Sequence, residues 1–419
     1  MGEALAIQGG PRAVPEGAIL GWPEVDDDDR QAVLASLAGC AHAFGPNCKA
    51  FQQEFAAWNG AKFALTVNSG TAALHMGLAA VGVQAGDEVI APAYTWSSSA
   101  TCALHHNAIP VFVDINFDTM NLDLDKLEAA ITPRTKAIVA VHLHGLPLDM
   151  DRLMEIANRR GVPVVEDCCQ AVGATWKGRK VGTFGACAAF SFNQNKIVCS
   201  GEGGMFTCDD PKIKARAEKL WYFGESIEPP AGQTHELFAL GWMYRNNDLT
   251  AAFGRSQLRK ATRNLAAMRV LAARLAAALE GTPGLILPRE VPAGAGHNWY
   301  NFTVRFDFQV LGMAGEPSVA RDRLVKALQA EGVPTDVWQG FILPAMTVIR
   351  AKSAYGKGCP WDCGHAAPVT YDSTAYPVAR RHCDSHTGIT FALRPPNGPG
   401  QVDLVAAGIR KVLAGAATF

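Results

Sequence analysis

A chain of 419 residues, 48% hydrophobic and 18% charged, exceeds what one compact core holds, so an ordinary soluble globule of two domains is expected. Its formal net charge of −1 offers no field for nucleic acid or an anionic membrane surface, and no apolar run is long enough to span a bilayer. The 11 cysteines, an odd number scattered through apolar stretches as at Cys102, Cys187 and Cys199, read as reduced, packed thiols of a cytoplasmic protein; the N-terminus lacks a signal-peptide pattern.

Residues 1–20, rich in Gly and Pro, are expected to form an N-terminal arm. The acidic run Asp26 to Asp29 reads as a helix N-terminus, where carboxylates favour the dipole, rather than as a cation site. CKAFQQEFAAWNG, from residue 48, is an amphipathic helix with Phe51, Phe55, Ala56 and Trp58 on its apolar side. Strand-like runs follow at 62–67, 87–93, 109–115, 136–143, 162–167 and 188–192, with helical segments such as TAALHMGLAAVG and DMDRLMEIANRRG between them. Val- and Ile-rich strands alternating with helices predict an α/β fold, a mainly parallel sheet covered on both faces. A long helix-prone stretch over 249–279 bridges to a second texture: a strand at 299–306 and helices at 321–332 and 402–413. The expected organisation is an arm (1–20), a large domain (21–262) and a smaller α+β C-terminal domain (263–419).

Four segments carry chemistry. In SFNQNKIVCSGEGG (191–204), Lys196 follows a buried-looking strand and precedes a glycine-rich turn. A lysine held in an apolar pocket loses hydration and becomes nucleophilic, as Schiff-base formation with an aldehyde requires. The alternative is a surface lysine on a loop. Ser191 offers a hydroxyl for a phosphate oxygen. In VVEDCCQAVGA (164–174), Asp167 ends a strand, where ligands gather in open parallel sheets; its carboxylate can pair with a protonated pyridine nitrogen or cap a helix. Gln170 can meet a cofactor ring oxygen or complete a capping box. In TVNSGTAALHMGLAA (66–80) a strand turns through Ser69, Gly70 and Thr71 into a helix whose free N–H groups suit a phosphate; neither a Walker loop nor GxGxxG is present. In APAYTWSSSA (91–100), Trp96 can stack on a flat heteroaromatic ring or pack in the core. Phosphate turn, aromatic plate, strand-end Asp and Lys, in that order, are the parts of a pyridoxal-phosphate site.

With NSGTAALHMGL, GDEVIAPAYTW, PVFVDI, TPRTKAIVAVHLHGLPLDMD, VEDCCQAVGATWKGRKVGTFG and SFNQNKIVCSGEGG, the chain resembles the DegT/StrS-type sugar and cyclitol aminotransferases, fold type I pyridoxal-phosphate enzymes; the resemblance runs from about residue 45 to 210. The resemblance implies a seven-stranded-type, mainly parallel sheet in the large domain. It assigns Lys196 as the Schiff-base lysine, Asp167 as partner of the pyridine nitrogen, Gln170 as a further cofactor contact, Trp96 as the stacking ring, and Gly70, Thr71 and Ser191 as phosphate contacts. It implies a homodimer with interfacial sites and amino transfer from glutamate or glutamine, through pyridoxamine phosphate, to a keto group on a sugar or cyclitol, as in amino-sugar or antibiotic biosynthesis. The alternatives are a lysine-retaining lyase or aromatising synthase of the aminohydroxybenzoate type, and a non-enzymatic regulator on the same fold.

Two departures stand out. The family commonly has G-x-N-Y-R after residue 240, its Asn reaching the partner subunit's phosphate; here GWMYRNND puts Met243 at that place, with Asn246 and Asn247 as candidates to take over. His144 stands where Tyr is frequent, which leaves His144 and Tyr94 as candidate substrate contacts; His142 and His144, alternate residues at a strand end, are expected to share a face at the site's mouth. Cys359, Cys363 and His365, with His382 and Cys383 downstream, do not match a zinc spacing, so no metal is expected. Adjacent Cys168 and Cys169 are expected to pack on opposite faces.

Overall fold

In the computed structural model, residues 4–225, 236–289 and 292–418 are described; Met1, Gly2 and Glu3 of the arm lie outside them. Seven strands form the large sheet: β1 (Phe63–Val67), β2 (Glu88–Pro92), β3 (Ile109–Val113), β4 (Thr135–Val141), β5 (Val164–Asp167), β6 (Cys187–Ser191) and β7 (Gly204–Cys208). Their order is β1-β7-β6-β5-β4-β2-β3, and only β7 runs against the rest. β2, β5, β6 and β7 are buried at every residue, on both faces, and so are largely apolar runs rather than alternating ones.

The helices explain that burial. After α1 (Asp27–Ala38), α2 (Pro46–Asn59) lays Phe51 and Phe55 against Phe192 and Phe190, with ring centroids 5.1 and 4.9 Å apart. Then α3 (Gly70–Ala80) and α4 (Ser98–Leu104) cover the opposite face, while α5 (Leu124–Ala130) and α6 (Met150–Arg160) return to the first. α7 (Pro211–Trp221) joins α3. The acidic run does begin a helix: Asp26 and Asp29 form a capping box on α1, and both carboxylates meet Lys260 at 2.7 and 2.5 Å.

Lys260 lies on α8 (Asp248–Leu279), a 32-residue helix shared by two cores. Its first half packs Ala251, Leu258 and Ala261 with α2, and its last turns pack Leu271, Leu275 and Leu279 with the C-terminal part. There β8 (Leu285–Ile286), β9 (Phe302–Phe306), β10 (Thr335–Asp336) and β11 (His386–Ile389) make an antiparallel sheet in the order β8-β9-β11-β10. It packs with α9 (Pro317–Ala330) and α11 (Pro399–Ala414), whereas α10 (Pro377–Ser385) faces back to the large sheet through Ala379 and Cys383. The arm is ordered onto this part: Leu5 and Val14 are buried, and Glu331 accepts from the N–H groups of Ala6 and Ala13 at 2.7 and 2.9 Å.

Candidate active site

Strand alternation sets the site. On β5, Val165 and Asp167 face α3, and Glu166 faces the other way. On β6, Cys187, Ala189 and Ser191 share the α3 face, with Ala188 and Phe190 opposite. α3 approaches so closely that a Cβ on Gly70 would stand 2.6 Å from Cys169 Sγ and 2.9 Å from Ser191 Cβ. Ser69 caps the helix, its Oγ accepting from Ala72 N at 3.1 Å. The earlier first-turn N–H groups, at Gly70 and Thr71, stand at the wall of a cavity of about 570 Å³.

Gly70, Thr71, Trp96, Asp167, Gln170, Ser191 and Lys196 all line this cavity, together with Tyr300, Asp336 and Trp338 from the C-terminal part. Asp167 is held twice: Ser99 Oγ donates to Oδ2 at 2.7 Å and Cys169 N donates to Oδ1 at 3.1 Å. Lys196 is half-buried rather than sealed in an apolar pocket; its Nζ lies 3.3 Å from the Tyr300 hydroxyl and 4.6 Å from that ring's centre. The reason is local. Lys196 sits in the loop after β6, where Ser200 N returns to Phe192 O at 2.8 Å. Trp96 stands at the rim, 53% exposed, 6.1 Å from Trp338.

Gln170 spends its Oε1 on the His144 N–H at 2.7 Å, leaving its amide nitrogen for the cavity. Asn298 ties this wall to Tyr300: Nδ2 donates to the carbonyls of Gln170 and Val172 at 2.9 and 3.1 Å, and Oδ1 accepts from Tyr300 N at 2.8 Å. Behind Tyr300 lies the buried Arg394, whose Nη2 donates to the Tyr300 carbonyl at 3.2 Å; burial lowers its pKa to about 10.

Other sequence candidates lie elsewhere. Tyr94 is wholly buried beneath Trp338, its hydroxyl 2.9 Å from His386 Nε2. His142 and His144 do not share an open face, because β4 ends at Val141 and His144 turns with φ +56°. His144 is wholly buried, 5.1 Å from the Trp338 ring, and burial holds its pKa well below the usual imidazole range. His142 pairs with Glu166 at 3.2 Å. Burial raises the Glu166 pKa, but bonds from His142 and the N–H groups of Gly185 and Gly182 outweigh it and leave the carboxyl below its ordinary value. Cys168 packs in the core and Cys169 reaches the cavity. Met243 is half exposed, Asn247 caps α8, and Asn246 is buried with an unpartnered Nδ2 close to Gly203. Cys359 and Cys363 adjoin one another, while His382 and Cys383 lie buried on α10.

The residues present fit pyridoxal phosphate. The helix start at Gly70 and Thr71 suits the phosphate, the fixed Asp167 carboxylate suits a protonated ring nitrogen, and Lys196 offers an amine. Sequence reading did not find Ser99, Tyr300, Asn298 or Trp338, which have no local motif; the one cue was the aromatic cluster Trp299-Tyr300 before a strand.

Comparison with known proteins agrees. The chain is 38% identical over 313 residues to GDP-perosamine synthase of Caulobacter vibrioides, covering 74% of this chain and 81% of that protein. It is 38% identical over 348 residues to L-glutamine:2-deoxy-scyllo-inosose aminotransferase of Streptomyces kanamyceticus, covering 80% and 78%. The fold superposes on a crystal structure of 3-amino-5-hydroxybenzoic acid synthase with TM-score 0.83 at 28% identity, covering 94% and 98%. The DegT/DnrJ/EryC1/StrS aminotransferase model matches residues 23–361, most of the chain. With the cavity fitted to the cofactor, this places the chain in the DegT/DnrJ/EryC1/StrS aminotransferase family, as a pyridoxal-phosphate-dependent aminotransferase of fold type I.

Proposed function

We propose that this enzyme moves an amino group from glutamate or glutamine to a keto group on a sugar, free or nucleotide-linked, or on a cyclitol, in amino-sugar or secondary-metabolite biosynthesis. The observation that carries the reading is the convergence of Gly70, Asp167, Ser191 and Lys196 on one cavity. The GDP-perosamine synthase and the L-glutamine:2-deoxy-scyllo-inosose aminotransferase, at 38% identity each, support the acceptor class.

When bound, the cofactor supplies an electron sink for the carbanion generated on the donor. Gly70, Thr71 and Ser191 would hold its phosphate. Asp167, fixed by Ser99 and the Cys169 N–H, would keep a proton at the ring nitrogen. Lys196 would carry the cofactor and, once released, move the donor's α-proton as base and then acid. The Tyr300 hydroxyl, 3.3 Å from its amine, orients it. Trp96 would cover one ring face, and His144 would act on the substrate side only through Gln170 and Trp338. We further propose a cytoplasmic homodimer and a domain division within α8 near residue 262.

Borohydride reduction of cofactor-saturated protein followed by peptide mapping tests the assignment. The label is expected on Lys196; a label elsewhere, or none, refutes it. A donor screen with glutamate and glutamine, then a ketone panel with product analysis, separates amino transfer from aromatisation.

A further inference from the structure

The 11 cysteines divide by environment. Seven are buried, and burial pushes the thiols of Cys48, Cys208 and Cys383 up to about 12, so they stay protonated and inert. Cys40 is exposed and alone, and Cys169 belongs to the active-site wall. Cys359 and Cys363, both partly exposed, differ: their Sγ atoms lie 3.0 Å apart, and one thiol donates to the other.

The turn that carries them is fixed before any bond forms between them. Ala354 N donates to Cys359 O at 3.1 Å, Asp362 N to Gly358 O at 2.9 Å, Cys363 N to Pro360 O at 3.3 Å and Ala366 N to Cys363 O at 2.9 Å. The turn is anchored twice, to the end of α4 and to the edge strand β3. The Tyr355 hydroxyl donates to Leu104 O at 3.2 Å, and buried Trp361 donates to the Tyr371 hydroxyl, which donates to Pro110 O at 2.8 Å. A covalent S–S bond is about 2.0 Å, so closure requires a movement of about 1 Å. A metal is the poorer occupant. Among the described residues, the one group of three with ligand atoms in mutual reach is His142, Glu166 and Cys168, far from this turn in sequence.

We propose that Cys359 and Cys363 are a redox-active dithiol that closes to an intramolecular disulfide by exchange with a low-molecular-weight disulfide such as oxidised glutathione. One thiolate attacks a glutathione sulfur, the glutathione S–S bond breaks, and a first glutathione leaves as thiolate and takes up a proton. The second cysteine thiolate then attacks the protein sulfur of the mixed disulfide and releases the second glutathione. Two thiols lose two electrons and two protons, and one glutathione disulfide becomes two thiols. The inference is independent of the active-site assignment.

The test equilibrates full-length protein in glutathione buffers of rising oxidised-to-reduced ratio, blocks free thiols by alkylation, and digests with trypsin. Both cysteines fall in the peptide 358–380. The peptide is expected to pass as a unit from doubly alkylated to a form lighter than the dithiol by two hydrogen atoms, while Cys40, with no second thiol in reach, passes only to a glutathione adduct. Cys359→Ser is expected to leave a persistent glutathione adduct on Cys363, as Cys363→Ser is on Cys359. Double alkylation at every ratio, a persistent glutathione adduct on this peptide of the unmutated protein, or an intermolecular disulfide on a non-reducing gel would overturn the proposal.

Discussion

Ser99 never touches the cavity, yet its removal should weaken the cofactor's hold. The hydroxyl is wholly buried and donates to Asp167 Oδ2 at 2.7 Å, one of two side-chain or backbone donors that orient that carboxylate. A hydrogen bond to a charged group contributes about 1.5–3 kcal/mol. At about 1.36 kcal/mol per factor of ten, Ser99→Ala should lower cofactor affinity by roughly 10- to 150-fold if the whole effect passes through Asp167. Equilibrium titration with pyridoxal phosphate, followed by absorbance, measures it. A double-mutant cycle distinguishes this route from general loosening of α4. In the Asp167→Asn background the hydroxyl no longer meets a charge, so Ser99→Ala should cost less than about 1 kcal/mol there. An equal penalty in both backgrounds, or less than a twofold effect in the unmutated protein, refutes the argument.

Three further outcomes follow from the geometry. Gly70→Ala places a methyl 2.6 Å from Cys169 Sγ and 2.9 Å from Ser191 Cβ; overpacking of about 1–3 kcal/mol should displace the start of α3, and the cofactor dissociation constant should rise at least about tenfold. Glu166→Gln keeps the acceptor facing Phe184 N and Gly185 N but turns an amide toward the Gly182 N–H and His142 Nε2, which carries a proton because Nδ1 accepts from Leu148 N. Two charge-assisted bonds become donor–donor contacts, so denaturant unfolding should show a loss of about 3 kcal/mol or more; a loss under about 1 would rule the clasp out. Finally, burial lowers His75 and His297 to about 3, His386 to about 4, and His144 and His382 well below their ordinary 6.5. The unfolded chain therefore binds protons that the fold refuses. Stability should fall as pH drops below about 6.5, with a limiting slope near 7 kcal/mol per pH unit for five histidines. Glu166 acts in the same direction at lower pH, since a carboxyl lowered by folding loses its contribution as pH falls through its folded value. Urea unfolding at a series of pH values from 7 to 5 measures the slope, and a flat profile would contradict it.

What the sequence disclosed, and what it withheld, follows from how far each signal reaches along the chain. Asp167, Ser191 and Gly70 were legible because each ends a strand or starts a helix, and parallel topology gathers such ends on one edge. The alternation that points Asp167 and Ser191 at α3 also sends Glu166 the other way, so one strand supplies both a carboxylate at the cavity wall and the buried clasp of residues 182–185. Lys196 is marked in the sequence by its place between a strand and a glycine-rich turn, and the structure brings it to the cavity by another route than burial. The expected apolar burial is not how the fold holds it; a loop presents it to Tyr300, 104 residues later. His142 and His144 do not share the face that alternation predicts, because β4 ends at Val141 and the chain enters a turn where His144 adopts positive φ and strand parity no longer applies. Ser99, Tyr300, Asn298 and Trp338 were invisible for the same cause in reverse. Each is an ordinary residue in its own segment and gains its contact only when α4, the stretch before β9 or the segment after β10 is folded against Asp167, the loops that follow β5 and β6, or Trp96. The groups that perform chemistry are thus marked locally by the turns that present them, whereas those that aim them are marked only by three-dimensional contact. That division is why the double-mutant cycle at Ser99 probes the fold's contribution to the site, where substitution of Lys196 probes the proposed chemistry alone.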